Sequence, residues 1–364
     1  MPEQLFFTAA ASFEAARQVA LFPAGHRLQR LHGHSFLATL RAALPQGWAH
    51  FPGAEVSDLH VQLARCVAAL DYRLLNEALE HPTDENLARW LRSRLDLPGI
   101  EQIGIQSTRH HGVDLDRDAR AHVWRRYRFE AAHRLPNVPA GHKCARMHGH
   151  GFDVILHASV ARDARELGID DAHLDRCWAP IHAMLHQACL NEIAGLENPT
   201  SELIASWIWE RMKPASPELS WVTVYETASC GAHYDGRRYR IWKEIPLDCA
   251  LRLEHAPEGD PRRRTHGHTY LLRLHLNAAL DQTRGWTMDF GDVKAIFAPV
   301  FARLDHRALY ETKGLEDNDC ASIVRWIRSE AAPLLPQLDR IDLEETHGCG
   351  AILVWDDGPP ALLV

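Results

Sequence analysis

The chain has 364 residues, enough for two or three domains that each bury a core. A formal charge of −8 speaks against a binder of nucleic acid or another polyanion. No apolar run approaches the roughly 18 residues of a membrane span, and no basic-then-apolar leader opens the sequence, so neither membrane insertion nor secretion is expected. The eight cysteines (66, 144, 177, 189, 230, 249, 320 and 349) form no C-x-x-C pair and no disulfide framework, a usage that fits the reducing cytoplasm. The composition departs from the ordinary in one respect, its 24 histidines.

Taken in chain order, the first strand leads to a P-x-G loop (Pro23, Ala24, Gly25), then to His32-Gly33-His34 and the alternating run SFLATL. ALDYRLLNE follows at 69–77, and Thr83 is placed to cap a helix with Leu87, Leu91 and Leu95 on one face. IGIQST closes the set at 103–108. The same order then repeats. Pro139-Ala140-Gly141 precedes His148-Gly149-His150 and GFDVIL, with alternation through Phe152, Val154, Leu156, Ala158 and Val160. MLHQACLNE (184–192), a cap at Thr200, an apolar face of Leu203, Ile204, Trp207 and Ile208, and VTVYET (222–227) come next. Asp235-Gly236 signals a tight turn before the third round. That round has Pro257-Glu258-Gly259, His266-Gly267-His268, TYLLRL, RLDHRALYE (303–311), a cap at Asp319 before Ile323, Val324 and Ile327, and IDLEET (341–346).

The His-Gly-His landmarks lie 116 and 118 residues apart, and the closing landmarks recur every 119. This predicts three diverged tandem copies, bounded at 1–120, 121–240 and 241–364. Each reads as strand, loop, strand, helix, helix, strand, strand. The fold class is α+β, with antiparallel strands and helices on one face, and copies joined side by side would pair the exposed sheet edges.

Only the middle copy carries a third histidine at the matching place. His148 and His150 are two apart on a strand, so both rings leave one face, and His133 ends the preceding strand across the loop. Three histidines without a fourth protein ligand is the donor set of a catalytic zinc site, whose open position takes water or substrate. Cys144 lies on the intervening loop. Lys143 and a dication beside it are expected to favour its thiolate and make it a base or nucleophile.

The motifs F-x-A-A-H, C-x-x-x-H-G-H, L-D-H-x-x-L-N-E, N-P-T-x-E and E-T resemble those of 6-pyruvoyltetrahydropterin synthase and its bacterial relative 6-carboxytetrahydropterin synthase. The resemblance spans nearly the whole chain as three copies. It implies the tunnelling fold, with antiparallel sheets closing into one pseudo-threefold barrel, helices outside, and two such barrels stacked, here as a homodimer. It implies Zn2+ on the three histidines, a cysteine base, an Asp-His proton relay from a neighbouring copy, and a glutamate holding the pterin ring. The implied substrate is the small molecule 7,8-dihydroneopterin triphosphate, which loses triphosphate.

Carried over residue by residue, no copy is complete. The first has Arg17, Leu28, Asp71-Tyr72 and Ser107 where the first zinc histidine, the cysteine, the relay and the glutamate belong. The second keeps His133, His148, His150, Cys144 and Glu226 but has His186-Gln187 at the relay position. The third has Leu251 and Arg262 in place of histidine and cysteine, yet keeps Asp305-His306, Glu345 and the family-like GWTMDFGDVK at 285–294. Copies 1 and 3 are therefore expected to be metal-free, and one composite site is expected at the interface of copies 2 and 3, with Asp305 and His306 serving the zinc-bearing copy. Glu226 and Glu345 both remain candidates for the pterin edge. The Arg262–Arg264 run, Arg125-Arg126 and Arg237-Arg238 read first as solvated surface. The resulting expectation is a cytoplasmic, zinc-dependent 6-carboxytetrahydropterin synthase in queuosine or deazapurine precursor synthesis. The alternatives are a 6-pyruvoyltetrahydropterin synthase and a zinc- and pterin-binding pseudoenzyme.

Overall fold

A computed structural model describes residues 3–22, 25–159, 171–277, 279–281 and 285–355. Val160 and the Pro23-Ala24 part of the first P-x-G loop lie outside the described residues. Seven elements recur three times. The first copy has β1 (Gln4–Arg17), β2 (His32–Ala42), α1 (Glu55–Val67), β3 (Arg73–Leu74), α2 (Asp84–Arg94), β4 (Ile100–Thr108) and β5 (His111–Asp116). The second has β6 (Ala121–His133), β7 (His148–Ser159), α3 (Asp171–Leu185), β8 (Ala188–Cys189), α4 (Ser201–Met212), β9 (Leu219–Thr227) and β10 (Cys230–Tyr234). The third has β11 (Tyr239–Leu251), β12 (His266–Asn277), α5 (Phe290–Phe301), β13 (Arg307–Ala308), α6 (Cys320–Ala331), β14 (Leu338–Thr346) and β15 (Cys349–Val354). This is the α+β order expected from the sequence, with one addition per copy. The two-residue strands β3, β8 and β13 are too short to leave a periodic signal.

The three expected caps are made by side chains. Thr83 Oγ1 accepts from Asn86 N and Thr200 Oγ1 from Leu203 N, both at 3.2 Å, while Asp319 Oδ1 accepts from Ala321 N and Ser322 N. Loss of such a cap costs about 1 kcal/mol. At Asp235-Gly236 the chain turns between β10 and β11. Asp235 Oδ1 accepts from the backbones of Arg237 and Arg238, and Gly236 takes the φ of 89° that a side chain would resist. No described helix is long and apolar enough to cross a membrane.

The described residues divide into two compact units: unit 1 within Met1–Ala121, Ile245–Leu274 and Ile296–Val364, and unit 2 within His122–Glu244 and His275–Ala295. In unit 1 the first and third copies share one sheet. Antiparallel pairing of β1 with β15 joins them, from Gln4↔Val354 to Thr8↔Gly350. The edges of neighbouring copies therefore do pair, as the exposed-edge argument requires.

In unit 2, β6, β7, β9 and β10 form an antiparallel meander whose one face packs on α3 and α4. Phe129 stacks on Phe152 at 4.9 Å over Trp178, Ile181, Ile204 and Ile208. Each ring buried this way is worth about 2 kcal/mol. Alternation puts His157 and Thr223 on the opposite face, where both are fully buried. Unit 1 likewise buries Arg41, Gln102, Asp114, Arg340 and Asp342. The second face of these strands is thus polar and enclosed rather than solvated.

Candidate metal centre and its pocket

His133 faces His148 across the β6–β7 ladder, and His150 follows two residues on, all on the face that carries Phe129 and Phe152. The glycine between the two histidines is dictated by the neighbouring strand. A Cβ at Gly149 would lie 3.2 Å from Ala131 O, and one at Gly267 would lie 2.8 Å from Cys249 O. Ring centroids are 4.5 Å apart for His133–His148, 5.2 Å for His133–His150 and 5.0 Å for His148–His150.

Outer contacts fix the tautomers. His133 Nδ1 lies 3.0 Å from Pro199 O and His148 Nδ1 2.8 Å from Arg146 O, so each carries its proton there and leaves Nε2 with a lone pair. Nε2 of His133 and Nε2 of His150 are buried without a hydrogen-bond partner. Burial pushes both imidazoles toward the neutral form, against the opposing pull of Glu226. Buried, unpartnered and neutral nitrogens are what a cation needs, so the residues present fit zinc.

The donor set is larger than the sequence implied. One Glu226 oxygen joins the three histidines, with all four ligand atoms within 4.8 Å of one another. Glu226 Oε1 lies 3.6 Å from His150 Nε2, and Ser201 Oγ donates to its other oxygen at 2.9 Å. Glu226 is thus placed where it could act as a fourth donor beside the three histidines. β9 pairs with β7 as far as Asp153↔Tyr225, and its next residue delivers the carboxylate to the histidines.

His133 is fully buried, and His148, His150, Ser201 and Glu226 line a cavity of about 880 Å³ within unit 2. Cys144 lines it, but its thiol is pushed up, first by burial and then by Glu226, with Lys143 opposing. Lys143 favours the thiolate, as expected, but by itself does not outweigh burial and Glu226. A cation held by the histidines would be the largest local charge and would act in the opposite direction. Lys143, Arg146, Lys243 and Lys294 also line the cavity, and four cations are an apt lining for an anionic substrate group.

Copy 3 does contribute to this cavity, through Trp286, Met288, Asp289, Phe290, Gly291 and Lys294. The segment docks on α4: Thr200 Oγ1 donates to Gly285 O at 2.6 Å, and Thr287 N donates to Glu202 Oε1 at 2.7 Å. Asp305 and His306 belong to unit 1. There His306 Nδ1 meets Asp305 Oδ2 at 2.8 Å, and His306 N donates to Asp248 O at 2.7 Å. The His306 ring is exposed and its φ is 54°, in the left-handed region. The hydrogen bond to Asp305 raises the imidazole. Burial acts to raise Asp305, but its bonds to His306 and Asp248 N hold it low. The pair has the form of a proton relay.

The equivalent places in the other copies, both in unit 1, are filled differently. In copy 1, Arg17 Nη1 pairs with buried Asp84 at 2.5 Å, and Arg17 Nη2 lies 3.4 Å from His34 Nε2. Ser107 Oγ donates to Asp84 at 2.6 Å, and His111 Nδ1 lies 3.2 Å from it. Burial and Arg17 together bring His34 down to about 4. In copy 3, Leu251, His266, His268, Arg262 and Glu345 line a cavity of about 170 Å³. Burial raises Glu345, which accepts from Cys320 Sγ at 3.4 Å. Arg262 is bound to Asp260 and Ser57 and covers the Phe51 ring, so it is not the free surface cation the sequence indicated. Arg125 is likewise held by Asp175, whereas Arg237 and Arg238 are exposed.

A thrice-repeated α+β unit with, among the described residues, a centre of three histidines and one carboxylate in its middle copy defines the class: a tandem protein with a metal-type pocket. A family model described as 6-pyruvoyl tetrahydropterin synthase matches residues 7–112, 122–237 and 240–354. The chain belongs to that family and carries its unit three times. The 6-carboxy-5,6,7,8-tetrahydropterin synthase of Synechocystis sp. is 34% identical over 122 residues, 31% of this chain and 91% of that protein. The dihydroneopterin monophosphate aldolase of Pyrococcus furiosus is 28% identical over 113 residues, 29% of this chain and 92% of that protein. The solved 6-pyruvoyl tetrahydropterin synthase of Caenorhabditis elegans is 19% identical, with 31% of this chain and 92% of that one covered and a TM-score of 0.28.

Proposed function

We propose that the chain is a zinc-dependent 6-carboxytetrahydropterin synthase acting on 7,8-dihydroneopterin triphosphate. The observation that carries this reading is the clustering of His133, His148, His150 and Glu226 beside one cavity that Cys144 and a basic set also line. Bound zinc would polarise the oxygens of the substrate side chain and acidify the adjacent C–H. Cys144 accepts that proton. Glu226 serves either as the acceptor for the paired N–H donors of the pterin edge or as a fourth metal ligand. Lys143, Arg146, Lys243 and Lys294 hold the triphosphate, which departs as its C–O bond breaks. Asp305 and His306 supply the relay. Glu226 lines this cavity, which supports it over Glu345 as the carboxylate for this site.

The test is zinc content per chain together with product analysis on 7,8-dihydroneopterin triphosphate, for the parent, Cys144→Ala and His306→Ala. About one zinc per chain is expected, retained in both variants, with turnover falling about 10²–10⁴-fold in each. Three zincs per chain, or full activity in His306→Ala, would remove the composite relay. A pseudoenzyme is the second reading, favoured by His186-Gln187 at the relay position of the histidine-bearing copy. Zinc and pterin binding without turnover in the parent would establish it.

The active species is proposed to be a homodimer. Leu31, Tyr72 and Leu74 leave large apolar side chains exposed in unit 1, Tyr72 at 84%. Sedimentation at the 41.2 kDa chain mass rather than twice that mass would refute the dimer.

A further inference from the structure

The loop that carries Cys144 is tethered at a point the proposed chemistry does not use. His142 caps the single 3-10 turn that presents the thiol, its Nδ1 accepting from the backbone N of Cys144 at 3.2 Å. An imidazole nitrogen that accepts an N–H holds no proton, so the ring proton sits on Nε2. That nitrogen lies 3.5 Å from Asp289 Oδ2, a carboxylate from copy 3. Asp289 is itself fixed, because its Oδ1 accepts from Gly291 N at 2.7 Å and from Asp292 N at 3.2 Å as α5 begins. Trp286 packs beside the His142 ring, with centroids 6.1 Å apart. Both His142 and Asp289 are largely shielded from water, at 22% and 17% side-chain exposure.

The other copies separate two roles that coincide here. In copy 1, His26 Nδ1 caps the equivalent turn by accepting from Leu28 N at 3.3 Å, and its ring stacks on Phe22 at 4.4 Å. In copy 3, Asp260 does the capping, from Arg262 N at 2.9 Å. Capping therefore needs only an acceptor at this position, and an aspartate suffices. The imidazole of copy 2 adds a second, outward-facing donor, and that donor meets the neighbouring copy.

We propose that Asp289 and His142 form a brace through which copy 3 positions the Cys144 loop of copy 2. Neither residue acts on substrate. The carboxylate sets the tautomer of the ring, and the ring holds the Cys144 backbone where its thiol faces the histidine centre. The proposal rests on the reading of Cys144 as the proton acceptor only for its catalytic consequence. The brace itself is a property of the loop.

The experiment is a double-mutant cycle on the full chain with Asp289→Asn, His142→Asn and the pair. Asparagine at 142 keeps an acceptor near the Nδ1 place but lacks the reach to Asp289. Asparagine at 289 keeps the Oδ1 cap of α5 but presents an N–H donor to the Nε2 proton. Two readouts are taken: kcat and KM on 7,8-dihydroneopterin triphosphate, and the rate of Cys144 alkylation by iodoacetamide at fixed pH, followed by peptide mass. Each single variant should lower kcat about 10-fold or more with KM little changed, since small misplacements of reacting groups cost factors of this size. Each should also change the Cys144 alkylation rate at least about 3-fold, with zinc content unchanged. The double variant should match the singles in both readouts, because one linkage is broken either way. Effects that multiply in the double variant, or an Asp289→Asn protein whose alkylation rate equals the parent's, would overturn the brace. If the parent shows no turnover, the functional reading fails, and the alkylation cycle still decides the brace.

Discussion

The first and second copies present the same backbone cradle with opposite contents. At the end of β6, copy 2 places His133 among two further imidazoles and Glu226, leaving buried nitrogens without partners. At the end of β1, copy 1 places Arg17, and a guanidinium–carboxylate pair with Asp84 fills the equivalent space, Ser107 and His111 taking its remaining oxygen. A polar cavity walled by packed strands has to neutralise its buried groups by some route. Copy 2 has the donors to leave that to a cation from solution, as proposed above, whereas copy 1 carries the cation on its own side chain. Three substitutions, Arg17 for His133, Asp84 for Ser201 and Ser107 for Glu226, thus separate a candidate metal site from a structural ion pair.

The largest effect expected from breaking this contrast is at His133. His133→Ala should reduce zinc from about one per chain to background and abolish turnover, because two imidazoles and a carboxylate leave the tetrahedral set short of a ligand. His34→Ala in copy 1 should change neither. Elemental analysis of the two purified variants checks the pair. Zinc loss in His34→Ala would mean that the copies are not separated as the side chains indicate.

Next in size is the ion pair. Asp84→Asn leaves the Arg17 guanidinium buried without its counter-ion and should destabilise the chain by about 3–5 kcal/mol, read from urea unfolding. The pH dependence has a definite sign. Burial acts to raise Asp84, but Arg17, His111 and Ser107 hold it well below the ordinary carboxylate range. A depressed carboxyl contributes stability that is complete above its unfolded value, about 3.9, and is lost as pH falls through the folded value. The parent should therefore lose stability below about pH 4 more steeply than Asp84→Asn. Equal slopes would show that the pair does not govern acid unfolding.

Much of this contrast was legible in the sequence, for identifiable reasons. The repeat set the element order, two-residue spacing set the common face of His148 and His150, and Thr83, Thr200 and Asp319 announced their helices because capping is local chemistry. Groups whose meaning depends on a partner far away in the chain were not legible. Arg17 shows as a lost histidine, but its bond to Asp84 spans 67 residues. Glu226 stood out as a pterin anchor, yet its approach to the imidazoles depends on the register of β9 against β7. Nothing local to Asp289 indicates that its carboxylate meets His142. The run GWTMDFGDVK at 285–294 was noticed as family-like, but not that its residues line the copy 2 pocket. Relay residues announce themselves by type. Wall residues such as Trp286 and Phe290 look like ordinary core until a cavity is seen beside them.

The smallest expected effect tests how copy 2 holds its neighbour's segment. Glu202 is buried, and its Oε1 accepts from Thr287 N. Burial, with some repulsion from Glu226, raises this carboxyl to about 7, against the hydrogen bond from Thr287. A carboxyl raised in the folded state keeps its proton where the unfolded chain releases it. Stability from this group therefore falls as pH rises from the unfolded value toward the folded one, then levels off. Glu202→Gln keeps the carbonyl acceptor for Thr287 and removes the buried charge. The variant should match the parent at pH 5 within about 1 kcal/mol and exceed it at pH 8 by about 1–3 kcal/mol, measured as urea midpoints. The equivalent residue in copy 1, Glu85, is raised by burial as well, whereas copy 3 has Ala321. If Glu202→Gln instead loses stability at pH 8, the segment is held by an ionised acceptor. Copy 2 would then differ from copy 1 in tolerating a buried negative charge beside its histidines, which a metal cation in the same pocket would compensate.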